Sequence, residues 1–162
     1  MSACATHCEG DILTISLPRY FTLAEAQRAL PEVERALRDI LFYRAEYQKA
    51  HEDVENNTKR IRMAGGSRVD PGAHLAMKAR RDTSAAALKD AAERVEQAGA
   101  MIKDVDIGLI DFLSHYQGQA VCLCWKLGEN KIGFWHGLEE GFRGRKPIDD
   151  DFIRNHRGEM TN

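Results

Sequence analysis

The chain has 162 residues, and its 23 Lys and Arg against 25 Asp and Glu give a formal net charge of −2 at pH 7. This length favours a single domain over residues 1–162, and the balanced charge predicts no binding to nucleic acid or to anionic membranes. The first residues, MSACATHCEGDILTISLP, have neither a basic start nor a long apolar run, so we expect a cytoplasmic protein with reduced thiols.

Residues 1–20 combine a polar, cysteine-containing start with a short strand candidate, ILTISL, and we treat them as a poorly defined extension. Cys4, His7 and Cys8 are residue types that bind zinc. An N-terminal segment that nothing anchors holds a metal poorly, so we do not favour a zinc site there.

The first helix has a clear start signal. Thr22 and Glu25 have the spacing of a capping box, which predicts a helix from Leu23. Pro31 lacks an amide and clashes with the preceding turn, so we expect a short helix 23–30 and a long one from residue 31 to about Met63. Apolar residues then recur at spacings of three and four, which is typical of a helix packed along a partner.

A second helix follows a turn predicted at residues 64–73, where a Gly pair and Asp-Pro-Gly interrupt helical propagation. Its stripe runs from Met77 to Ala98 and stops at Gly99, a residue suited to a left-handed helix end. Residues 21–99 are therefore predicted to form a long antiparallel helical hairpin. Two arms alone leave part of both stripes uncovered, so we expect a homodimer, or another homo-oligomer, through the hairpin.

After Gly99 the period changes from 3.6 to 2, and β-branched and aromatic residues increase. This predicts a small antiparallel sheet of three to four strands, near 100–103, 108–113, 120–127 and 131–137, with a turn at Ser114–Gln119. The sheet and a Gly/Arg-rich tail span residues 100–148, and residues 149–162 form a second poorly defined extension. The fold class is α+β.

The pairing of the last two strands decides which side chains share a face. A turn at residues 128–131 places Trp125 opposite Phe134 and Leu123 opposite His136. Trp125 and His136 then face the core, whereas the other face carries a mixed set suited to a ligand or a protein partner: Leu109, Asp111, Cys122, Cys124, Lys126 and Trp135. A slip of one residue exchanges these assignments.

Acids, a thiol and an imidazole in this region are ligand types for zinc or iron. They are Asp104, Asp106, Asp111, Cys124, Glu129 and His136. Glu129 lies at a hairpin tip and His136 is ~23 Å along the strand, so they cannot share one ion. A site needs Asp111 with a thiol such as Cys124, or His136 with a group from the helices. The interpretation of His136 as a hydrogen-bonded core histidine is favoured, with zinc or iron as the alternative and no cofactor assigned.

The segment Gly141–Arg145 offers backbone amides and the guanidinium groups of Arg143 and Arg145 to an anion. It lacks the strand–loop–helix context of a nucleotide site, so a structural turn is favoured. The candidate ligand- or partner-binding residues are Asp111, Cys124, Trp135, Arg143 and Arg145.

The motifs FTLAEAQRALP, GLIDF, VCLCWKLGE, IGFWH and GFRGR, in this order, resemble the bacterial family called domain of unknown function 2203 over about residues 21–148. The matching residues are Asp104, Gly108, Asp111, Phe112, Cys124, Trp125, Gly128, Glu129, Trp135, His136, Gly141 and Arg145. Cys4, Cys8 and Cys122 lie outside this pattern, which argues against a four-cysteine zinc site. The family name implies no activity.

Two functions fit these expectations. The first is a non-catalytic interaction or scaffold module, a homodimer through its hairpin, with the sheet as a binding surface. The alternative is a small metal- or ligand-dependent enzyme that uses the sheet and the GFRGR tail, with Asp111, Cys124 or His136 at its centre.

Overall fold

The structure is a computed structural model that describes residues 18–65 and 70–158. Two long helices come first, α1 (Leu23–Met63) and α2 (Pro71–Gln97). The strands that follow are β1 (Ala100–Asp104), β2 (Leu109–Tyr116), β3 (Gln119–Lys126), β4 (Phe134–Gly137), β5 (Lys146–Pro147) and β6 (His156–Arg157). A 3₁₀ turn (Phe142–Gly144) and a short helix α3 (Asp150–Asn155) lie among the last strands. The predicted α+β fold, a helical hairpin followed by an antiparallel sheet, is confirmed.

The start of α1 is the predicted capping box. The Thr22 hydroxyl accepts a hydrogen bond from the Glu25 amide at 3.2 Å, and the Glu25 carboxylate accepts one from the Thr22 amide at 2.8 Å. The predicted break at Pro31 is wrong, because α1 continues through it. Pro31 lies on the exposed face, while Leu30 and Val33 on either side are buried and hold the helix in line across the missing hydrogen bond.

Helix α2 begins inside the predicted turn. Asp70 accepts hydrogen bonds from the amides of Gly72 and Ala73, and Pro71 occupies the first helical position, where its missing amide costs nothing. Residues 66–69 of that turn lie outside the described residues. At the other end Gly99 has φ +81°, and a Cβ there would overlap the ring of Phe21. The helix therefore ends where the sequence predicts.

The core lies where the sheet end of the hairpin meets one face of the sheet. Helix α1 contributes Val33, Leu37 and Ile40, and α2 contributes Ala91 and Val95. The sheet contributes Ile110, Phe112, Leu123 and Trp125, all fully buried. Among the described residues, neither long helix has an apolar stretch sufficient to cross a membrane.

The described residues form a six-stranded sheet, not one of three to four strands. Its order is β1-β2-β3-β4-β5, with β6 paired to β2, and the pairs are antiparallel. The predicted turn Ser114–Gln119 is too wide, because β2 extends to Tyr116 and a turn at Gln117 and Gly118, both with positive φ, leads into β3. The two extra strands have two residues each, too short for alternation to reveal them.

The register between β3 and β4 differs by one residue from the prediction. Leu123 pairs with Trp135, and Cys122 pairs with His136. The connection runs from Leu127 to Gly133 instead of a four-residue turn, and Glu129 folds it back by accepting hydrogen bonds from the Lys126 amide and, through its carbonyl, the Trp125 indole. The faces are therefore exchanged on β4: Trp135 packs against the core, and His136 lies on the opposite face.

The predicted poorly defined segment from residue 149 onward is structured as far as residue 158. Phe152 of α3 is fully buried and contacts the rings of Tyr116, Trp135 and His156. The His156 Nε2 atom accepts a hydrogen bond from the Leu23 amide at 3.0 Å. Helix α3 and β6 thus tie the sheet to the beginning of α1.

Candidate metal centre

Three adjacent strands bring an acid, a thiol and an imidazole together. Asp111 on β2, Cys122 on β3 and His136 on β4 project from the same face of the sheet, and their ligand atoms all lie within 4.8 Å of one another. Each residue is at most 2% exposed. These are residue types that bind divalent transition ions, so the cluster has the ligand chemistry of a metal site.

The tautomer of His136 follows from its local contact. Its Nδ1 atom lies 2.8 Å from the Gly137 carbonyl oxygen, and since a carbonyl only accepts, Nδ1 carries the proton. In the neutral ring Nε2 is then an acceptor. It lies 3.2 Å from an oxygen of Asp111, and among the described residues it has no hydrogen-bond partner. Two acceptors therefore face each other in a buried position.

The Asp111 carboxylate also has an unpaired atom, and the two thiols beside it are protonated. The second carboxylate oxygen of Asp111, Oδ1, is buried without a hydrogen bond among the described residues. Burial and, after it, the charge of Asp111 raise the pKa of the Cys122 and Cys124 thiols to about 12. Both thiols are thus protonated at neutral pH when no cation is present, and a bound metal would favour the thiolate instead.

The spacing of the donor atoms suits one ion. Zinc lies ~2.0–2.3 Å from oxygen, nitrogen or sulfur ligands, so two donors to the same ion are at most ~4.6 Å apart. Small side-chain rotations reach this from the observed spread of 4.8 Å. The hydrogen bond from His136 Nδ1 to a backbone carbonyl is the outer contact that orients histidine ligands in metal proteins. The residues fit a zinc or ferrous ion.

Cys124 lies next to this cluster. It pairs directly with Asp111 across β2 and β3 and is fully buried. Among the predicted ligands, the structure therefore brings Asp111, Cys124 and His136 to one face. The sequence predicts His136 on the core face, and Cys122 enters only a four-cysteine zinc site, which the sequence does not favour. The available signal was the spacing of Cys122 and Cys124, which places two thiols on one side of a strand.

The remaining acids do not join the site. Asp104 accepts hydrogen bonds from the amides of Asp106 and Ile107, as a turn residue does, and Asp106 forms an ion pair with Arg44 at 2.6 Å. Glu129 lies in the loop after β3. Cys4, His7 and Cys8 lie outside the described residues.

The predicted anion-binding arginines have separate environments. Arg143 is exposed in the 3₁₀ turn. Arg145 is mostly covered: its guanidinium lies 4.1 Å from the centre of the Phe134 ring and donates to Glu129 at 2.7 Å. Because Glu129 already balances its charge, Arg145 is less available to an anion. Trp135, the other predicted ligand-binding residue, packs on the core face, away from Asp111 and Cys124.

Comparison with known proteins gives one family. A family model described as "Uncharacterized conserved protein (DUF2203)" matches residues 19–148. No curated protein and no solved structure matches the chain.

Proposed function

Because the chain belongs to the DUF2203 family, whose description assigns no activity, we propose from the geometry that it is a metal-binding protein, with Asp111, Cys122 and His136 holding a divalent ion, Zn²⁺ foremost. The observation that carries the proposal is the contact between His136 Nε2 and Asp111, two buried acceptors 3.2 Å apart. Buried polar groups normally have partners, and a cation between these atoms supplies one.

A proton is the competing explanation for this contact. A protonated imidazole would donate from Nε2 to Asp111, but the atoms lack the alignment of a hydrogen bond, and Oδ1 would stay unpaired. A metal ion satisfies oxygen, nitrogen and sulfur donors at once. The mixed donor set favours zinc or iron over the hard ions calcium and magnesium, which prefer oxygen ligands.

Metal content tests this proposal. Protein purified without an affinity tag and loaded with Zn²⁺ should retain one ion per chain after desalting, and EDTA should lower its melting temperature. His136→Gln should lose the ion, whereas His51→Gln, a change at an exposed histidine of α1, should keep it. A wild-type protein that retains no zinc or iron and melts at the same temperature with and without Zn²⁺ contradicts the proposal.

The burial of the donors favours a structural ion over a catalytic one. Catalytic zinc keeps a coordination position open to water or substrate, whereas here each donor is at most 2% exposed. The enzyme alternative would require a path from solvent to this centre, so the structural role is the form of the proposal that the geometry supports.

We also propose that the hairpin pairs with a second copy, which makes the protein a homodimeric interaction module. Within α2, described over its whole length, the buried residues are Ser84, Ala91 and Val95, so much of this helix lies in solvent. Near the tip, Met63 and Leu75 are 89% and 68% exposed. Apolar side chains left uncovered on a long arm support association with another chain.

Light scattering after size exclusion tests the dimer. Wild type should have twice the chain mass, and a double variant Met63→Lys with Leu75→Lys should fall to a single chain mass while its circular dichroism at room temperature stays that of the folded protein. Ile153→Lys, at an exposed apolar residue of α3, is the matched control and should stay dimeric. Val54 and Leu88 are unsuitable, because Val54 is buried and Leu88 is half-buried against the core within the chain. A wild-type monomer would exclude the dimer.

We further propose that the protein works in the cytoplasm. Cys122 and Cys124 are free thiols, which supports a reducing compartment. When cells are lysed rapidly in denaturant with an alkylating reagent, both cysteines should be recovered in the alkylated form, which shows that they were reduced. Recovery as a disulfide would contradict this location.

A further inference from the structure

Cys124 has the position of an additional ligand at the centre proposed above. It shares a strand face with Cys122 and lies directly opposite Asp111 on the neighbouring strand. It is fully buried, and no disulfide occupies its sulfur. The unpaired Oδ1 atom of Asp111, also buried, lies in the same polar cluster.

The spacing of the two thiols permits a shared ion. Alternate residues of a strand lie ~7 Å apart along one face, and each zinc–sulfur bond is ~2.3 Å long. Two bonds to one ion separate the sulfurs by ~4 Å, so the side chains need only lean toward each other along the strand. Asp111 and His136 approach the same space from the strands on either side of β3.

The charge of such a site is balanced by its surroundings. Zn²⁺ with two thiolates and one carboxylate carries a net charge of −1, which a buried position tolerates only beside a cation. Lys103 supplies a positive charge that acts on Cys122. Arg145 acts on Cys124, although its charge is shared with the Glu129 carboxylate. Arg145 also donates to the Cys124 carbonyl at 3.4 Å, and its buried Nε has no acceptor among the described residues.

We propose that Cys124 is the fourth ligand, so that two thiolates, one imidazole and one carboxylate enclose the ion in a closed site without a coordinated water. The inference rests on the metal centre proposed above. Each thiol releases its proton to solvent as its sulfur bonds to the metal, and no redox change occurs. The ion then joins three strands and leaves no position for a substrate.

Cobalt substitution counts the sulfur ligands. In a background with Cys4→Ser and Cys8→Ser, the Co²⁺-loaded protein should show a sulfur-to-cobalt charge-transfer band with an intensity expected for two thiolates. Cys124→Ser and Cys122→Ser should each halve the band per bound cobalt, and the double substitution should abolish it. Azide should leave the visible spectrum unchanged, because a closed site offers no position for it.

Failure of this inference is distinct from failure of the metal centre. A band that keeps its full intensity in Cys124→Ser, or a spectrum that shifts with azide, overturns the fourth ligand while the centre stands. A background protein that binds no cobalt overturns the centre itself. If either variant fails to fold, X-ray absorption on the zinc-loaded background protein decides, since two sulfurs at ~2.3 Å support the inference and one sulfur contradicts it.

Discussion

The sheet end of the molecule and the free end of the hairpin differ in how many of their side chains are buried. At the sheet end, α1 and α2 cover a dense set of buried side chains that includes Trp125 and Phe112. Toward the tip, Val54 and Ser84 are the outermost buried residues of the two helices. The tip therefore depends on local helical structure and exposed charges, whereas the sheet end depends on contacts between distant parts of the chain.

The largest difference between the two regions should come from removing a core ring. Trp125→Ala deletes a fully buried side chain whose indole donates to the Glu129 carbonyl, and it should lower the free energy of unfolding by ~3–5 kcal/mol in urea denaturation. Trp135→Ala should cost less, because that ring is partly exposed. Leu75→Ala, at a 68% exposed side chain near the tip, should change stability by less than ~0.5 kcal/mol. Equal losses in all three variants would refute the contrast.

Substitutions at Gly65 and Gly99 allow the two ends of the hairpin to be compared directly. Gly99 and Gly65 both have positive φ, but a Cβ at Gly99 meets the Phe21 ring, while one at Gly65 meets nothing within 4 Å. Gly65→Ala should therefore cost only ~1 kcal/mol of backbone strain, and Gly99→Ala should add an overpacking cost of ~1–3 kcal/mol. Thermal and urea unfolding of the two variants check the ranking, which a similar loss at both sites would contradict.

The smallest effect is a pH dependence at the start of α1. Hydrogen bonds from the Thr22 amide and hydroxyl lower the pKa of Glu25 below its ordinary 4.5. Its contribution to stability is present above the unfolded pKa and is lost as pH falls through the folded value. Glu25→Ala should cost roughly 0.5 kcal/mol at pH 7, since the group is solvent-screened, and less below the folded pKa.

Urea unfolding at pH 7 and pH 3 measures that difference. Glu52→Ala, at an exposed position of α1, is the control and should show little change at either pH. A cost of Glu25→Ala that stays constant over this pH range would show that the ionised carboxylate does not stabilise the helix start.

Local signals predicted the helices well. The capping box of Thr22 and Glu25 and the left-handed Gly99 depend on neighbouring residues, so the sequence contains them in full. The break predicted at Pro31 is wrong because the effect of this proline depends on which side of the helix faces solvent, and packing decides that.

The candidate site was less predictable because it depends on register. The position of His136 relative to Asp111 follows from the path of residues 127–133, which Glu129 fixes through contacts to Trp125 and Lys126. A shift of one residue moved His136 from the core face to the face of Cys122. The spacing of the cysteines alone does not reveal which strand lies beside them.

The contact between His156 and Leu23 has a consequence for synthesis of the chain. The ribosome synthesises Leu23, the first residue of α1, 133 residues before His156, whose imidazole accepts the hydrogen bond from the Leu23 amide. During translation, α1 and the hairpin are complete while the Trp135 ring still lacks the Phe152 cover that arrives with the same segment. We therefore expect the nascent protein to expose this aromatic surface until residue 156 leaves the exit tunnel, and such a surface is a binding site for chaperones.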